Sequence, residues 1–287
     1  MLFRSSLILT LLLAVVGIAA CDSSDYQKSG GQWAHGDTRF TPQDPASFKA
    51  LDEVFARDAT RGYYRGSVVA ESDGASFVVI SENEARDKNH VYWCDTYRKG
   101  QEYWSIKHLR IDRIEGAHPA TYRSLGKGYA RDQQRVYANG VPFKVRDTAT
   151  FEPLGGDFAH DAQRGYYARI EIPSSHGPSF ETIDARDAAY ARDRANGYYG
   201  YRDVDTLREA NAGPRDRVRT LRGVEPANLR VLGRGYAADT RQVWHRGQPL
   251  AGADAASFAV DESYQGPADA NDKSSGWNDG KRMLASK

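Results

Sequence analysis

Carboxylates supply most of the reactive groups in this chain, and their spacing is regular. An Asp follows an Ala by two positions at Asp58, Asp87, Asp132, Asp161, Asp193, Asp239 and Asp272. Five residues after each stands an aromatic: Tyr63, Tyr92, Tyr137, Tyr166, Tyr198, Trp244 and Trp277. Paired carboxylates are the machinery of glycoside hydrolysis, so a cell-envelope glycan or peptidoglycan hydrolase is the alternative to be weighed. A role shared by seven copies, however, is structural rather than catalytic. The chain contains no His-Glu-x-x-His, Cys-x-x-Cys, phosphate loop or nucleophile elbow. Its seven histidines show no metal-ligand spacing. The segment 268–273 has some calcium-loop character but lacks the glycine and distal glutamate of an EF-hand. No enzyme activity, metal or cofactor is expected.

The elements that would position these carboxylates also repeat. Ahead of each hairpin lies a second element: DPASFKAL from 44, DGASFVVI from 73, HPATYRSL from 118, DTATFEPL from 147, HGPSFETI from 176, EPANLRVL from 225 and DAASFAVD from 254. An Asp cap with Pro behind it reads as a helix start, weakened where His118, His176 and Glu225 replace the Asp. One helical turn would put Phe48 and Leu51 on a single face. Leu125-Gly126 and Leu232-Gly233 would end that turn with a left-handed residue.

The segment from Ala through the aromatics reads as a β-hairpin whose Asp initiates the turn. Gly62, Gly165, Gly197 and Gly276 would take positive φ in the loop, and the loops with Val91, Val136 and Val243 in that place would close differently. Strand alternation sends the first aromatic to the core. The second position then faces outward, making Tyr64, Trp93, Tyr167 and Tyr199 a candidate binding surface.

The fold expected is mainly β: a tandem, solenoid or superhelical array of about seven β-hairpin plus helical-turn modules. A basic module of roughly 29 residues holds little strand for a four-stranded blade, so a seven-bladed closed ring is the alternative. The modules run near 44–72, 73–117, 118–146, 147–175, 176–224, 225–253 and 254–280. Residues 114–132 match 221–239 at an offset of 107, so modules one to three and four to six read as a duplication with module seven as cap. The two long modules carry insertions at about 94–117 and 200–224, which are either a binding face or simply longer hairpins.

Asp87-Lys88-Asn89-x-Val91-Tyr92-Trp93, with its six copies over residues 44–280, resembles the DKNYY family of bacterial repeat proteins. Only module two carries the Asp-Lys-Asn tract intact, and module seven keeps Asp272-Lys273. The resemblance implies an exported, often lipid-anchored protein and no known activity.

The address agrees with that. Arg4 followed by the apolar run from Leu7 to Ala20 reads as a signal peptide over residues 1–20, since a spanning helix needs roughly 20 apolar residues. Ile18-Ala19-Ala20-Cys21 resembles a lipobox, making Cys21 the lipidation site, with Asp22 favouring inner-membrane retention over the outer membrane. Residues 21–43 read as a polar tether and 281–287 as a fraying tail. Cys94 is then the one remaining thiol, and a strand residue rather than a nucleophile. With 39 basic residues against 38 acidic ones, of which cleavage removes only Arg4, nucleic acid is not expected as a partner. The partners expected are the membrane, through the anchor, and a periplasmic envelope protein or glycan, bound without catalysis.

Overall fold

The computed structural model describes residues 24–100, 107–183, 188–203, 215–263 and 266–283. The signal segment and Cys21 lie outside them. The described chain is mainly β: eight small antiparallel sheets in sequence order, seven of four strands and an N-terminal one of three, closing into neither a barrel nor a propeller. Among the described residues, no helix is long and apolar enough to cross a membrane.

Each 29-residue module does hold four strands, because the strands are very short. Module four consists of Glu152–Gly155, Phe158–His160, Gly165–Tyr167 and Ile170–Glu171. The helical turn shrinks to one 3₁₀ turn at Gly74–Ser76, Gly177–Ser179 and Pro226–Asn228. Asp73 caps its turn through Ser76 N–H, whereas His176 and Glu225 provide no side-chain cap.

After that turn the chain runs straight into the first strand, which overturns the expected pairing of Phe48 with Leu51. Phe48 packs between the N-terminal sheet and module one, and Leu51 between modules one and two. The Leu-Gly glycines are left-handed as expected, Gly126 at φ +79° and Gly233 at φ +99°. They lie at the end of the first strand, where the register slips, and not at the end of a helix.

The small Ala of each repeat has a direct physical cause. Ala56 pairs across the hairpin with Tyr63, Ala130 with Tyr137, Ala159 with Tyr166 and Ala237 with Trp244, so a minimal side chain leaves room for the ring opposite. The adjacent cross-strand pair, such as Phe55 with Tyr64 or Phe158 with Tyr167, points to the other face.

Successive sheets pack on one another, with one apolar cluster at each junction. Phe55, Tyr64, Phe77 and Tyr92 join modules one and two; Trp93, Tyr122 and Tyr137 join two and three; Phe151 and Tyr166 join three and four. The second half repeats these junctions: Phe158, Tyr167, Phe180 and Tyr198, then Tyr199, Leu229 and Trp244, then Phe258 and Trp277.

Two boundaries are corrected. Part of the segment read as tether is a sheet of Tyr26–Ser29, Gln32–His35 and Thr38–Phe40, packing Tyr26 on Ala56 and Tyr63. Lys281–Arg282, read as tail, is the last strand of module seven.

Candidate functional site

The repeated carboxylate is the tie point of its module. One oxygen accepts the N–H groups two and three residues ahead, at 2.7–2.8 Å in all seven copies; Asp161, for example, takes Gln163 and Arg164. The other oxygen accepts the N–H of the residue that begins the preceding turn element, at 2.7–3.1 Å. It also takes the hydroxyl of Tyr63, Tyr92, Tyr137, Tyr166 or Tyr198 at 2.5–2.8 Å, and the indole N–H of Trp277 at 3.0 Å. Asp58, Asp87, Asp132, Asp161, Asp193 and Asp239 are buried.

Burial raises a carboxyl pKa, but here the converging hydrogen bonds outweigh it. Asp58, Asp87, Asp132, Asp161, Asp193 and Asp272 are held below the usual carboxylate range. The partner phenols move the other way, through burial first and the adjoining carboxylate second; Tyr63 is pushed up to about 12. A carboxylate held ionised by backbone and phenol donors of its own turn and the chain leading into it is turn chemistry.

All seven loops close alike, with the Asp N–H donating to the carbonyl three residues on. Gly62, Gly165, Gly197 and Gly276 are not left-handed, so the expected glycine-dependent closure is wrong. A Cβ at Gly62 would run into the ring of Phe77, and one at Gly165 into Phe180. Gly62 and Gly165 make room for the next module, and Val91, Val136 and Val243 fill the equivalent place themselves.

The outward-facing aromatics are overturned as well. Tyr64 is 2% exposed, Trp93 5%, Tyr167 7% and Tyr199 8%. The first aromatic faces the preceding sheet and the second faces the following one, so both faces are covered. Only in module seven, the last sheet among the described residues, does the second position carry an exposed polar residue, Asn278.

What differs between modules is the pair of insertions. They lengthen the last hairpin of modules two and five, giving Val91–Tyr97 with His108–Arg113, and Gly197–Asp203 with Arg215–Thr220. Cross-strand pairs share a face, and Asp95 with Arg110 shares that of Trp93, toward module three. Arg202 shares by alternation the face of Tyr198, toward module four.

The two long hairpins therefore turn facing sides to each other across modules three and four. A cleft of about 220 Å³ lies there, lined by Arg110, Lys127, Asn139, Asp157, Arg169 and Arg202 among others. Arg110 is held by Asp112 at 2.5 Å, and Lys127 donates to the Leu154 carbonyl. Arg110 and Arg202 lie in the insertions, so the module spacing does not single them out, whereas Lys127 has a basic counterpart in Arg234 at the offset of 107. For Arg110 and Arg202 the insertion boundaries are the signal in the sequence, and Lys127 and Arg169 lie outside both insertions.

Cys94 is buried in the junction between modules one and two, its thiol pushed up by burial. Asp269, in the calcium-like segment, accepts Tyr236 and the Asp279 N–H. Among the described residues, no group of His, Cys, Asp or Glu is placed to hold a metal. Compared with known proteins, the chain matches no family model, no curated protein and no solved structure.

Proposed function

We propose that this is an exported, lipid-anchored repeat protein of the DKNYY kind, held in the membrane by Cys21 and facing the periplasm, that binds a partner without turning it over. The observation that carries the binding half is the commitment of the repeated carboxylates to bonds with their own modules and, at Asp161, with the residue just ahead of its module. With that chemistry spent on turns, what remains to meet a partner is what varies, namely the facing pair of long hairpins. The anchor half rests on the lipobox residues Ile18 to Cys21. On this reading the sheets form an open, superhelical array whose length comes from stacking.

Mass spectrometry of the mature N-terminus should find a diacylglyceryl group on Cys21, and Cys21→Ser should release the protein to the soluble fraction. An unmodified N-terminus at another position would refute the anchor. Capture from detergent-solubilised envelope, compared between the full chain and one with both long hairpins shortened to the length of the Gly165 hairpin, tests the binding half. Turnover of peptidoglycan by the purified protein would replace that half with a glycan hydrolase.

A further inference from the structure

The cleft between the long hairpins has a charge pattern that points to its ligand. Arg110 and Arg202 come from separate insertions, Lys127 from the first hairpin connection of module three, and Arg169 from the last connection of module four. Four cationic side chains thus converge from four segments on a cleft whose own lining holds one carboxylate, Asp157, with Asp112 beside it paired to Arg110.

Like charges gathered in a concave site repel one another, and the low-dielectric walls of a cleft strengthen the field they make. The protein does not disperse them: Lys127 is held by the Leu154 carbonyl in a left-handed backbone at φ +54°, and Arg110 is fixed by Asp112. Guanidinium groups present planar forks that match the oxygens of a phosphate, and a lysine adds a point charge. Asn139, also lining the cleft, supplies an amide. The volume suits one small headgroup and not a long segment of polymer.

We infer that this cleft binds a phosphate group, as a mono- or diester or a pyrophosphate, clasped between Arg110 on one hairpin and Arg202 on the other. The inference rests on the binding reading above and specifies its ligand. The phosphate could be carried by a soluble molecule or by a lipid headgroup, and the two sources are separated by the probe.

Calorimetric titration of the whole mature chain with inorganic pyrophosphate should show saturable binding that weakens as salt is raised. Arg110→Ala and Arg202→Ala should each weaken it on the order of ten-fold or more. Lys49→Ala, in the first strand of module one and away from the cleft, should leave it unchanged. Circular dichroism melts matching the parent chain confirm that the arginine variants fold. Flotation with phosphatidylcholine vesicles, with and without phosphatidic acid, forms the second arm. Binding that needs phosphatidic acid and both arginines, without pyrophosphate binding, places the phosphate on a lipid.

Absence of binding in both arms, or binding indifferent to Arg110 and Arg202, overturns the inference. If envelope capture still depends on the long hairpins in that case, the binding reading stands and only the phosphate falls. If capture is also lost, both fall.

Discussion

Modules four and six use the same carboxylate with different partners. In module four, five hydrogen bonds converge on Asp161: from Gln163, Arg164, Arg146 and Asp147 backbone N–H groups and from the Tyr166 hydroxyl. In module six, among the described residues, three reach Asp239, all from backbone N–H groups of Glu225, Arg241 and Gln242. Trp244 replaces the tyrosine, and its indole N–H is buried without a partner. The loop is nevertheless the same. The backbone bonds shape the turn, the aromatic is kept for its bulk between sheets, and the bond joining the two is an addition that module six lacks.

The largest effects should come from bulk. Tyr166→Ala and Trp244→Ala should each cost roughly 3–5 kcal/mol in urea melts, as a large buried ring leaves a cavity. Tyr167→Ala and Trp93→Ala should approach that range because they fill the next junction. A cost near zero at Tyr167 would mean that its face is open after all.

Next come the carboxylates. Asp161→Ala should cost on the order of 3 kcal/mol, because buried donors lose their acceptor, and Asp239→Ala about 1 kcal/mol less for its shorter set of partners. Equal losses would show that the tyrosine bond contributes nothing and remove the contrast between the modules. Tyr166→Phe removes that bond together with the one the hydroxyl accepts from the Arg146 N–H, and should cost about 1–2 kcal/mol.

The smallest effect is a displacement of the acid limb. Asp161 titrates below the carboxylate range when folded, so its stabilisation is present above about pH 4 and is lost as pH falls toward the folded pKa. Removing the Tyr166 hydroxyl should move that loss to slightly higher pH, as read by melting temperature against pH. At the other end, Tyr63 rises to about 12 in the fold. Its stabilisation is whole below pH 10 and declines as pH climbs through that interval. A flat alkaline limb would argue against the buried phenol–carboxylate pair.

The repeated turn and its core aromatic are legible because seven copies at one spacing leave little freedom. The misreadings share one cause: a single module does not announce that another sheet covers it. Alternation places Trp93 and Tyr167 on an outer face, and the outer face is the next module's inner one. Gly62 and Gly165 suggest backbone freedom, when the rings of Phe77 and Phe180 require their missing side chains. The N-terminal sheet escapes notice because Ser29 stands where the repeat has its Asp and Gln27 where it has its Ala. Arg110 and Arg202 belong to no repeat position, so only the register of two long hairpins brings them to one cleft.

The matching junctions carry a consequence for the gene. Tyr129, Val136, Phe151 and Tyr166 meet between modules three and four, and Tyr236, Val243, Phe258 and Trp277 meet between six and seven. A block of three modules therefore ends on the same surface whichever copy it is, and the module stacked on that end is built to receive it. Unequal recombination that adds or removes one block leaves no mismatched seam, whereas loss of a single module sets unlike surfaces against each other. Descendants of this sequence can change length most readily in steps of three modules, each new block bringing one more long hairpin.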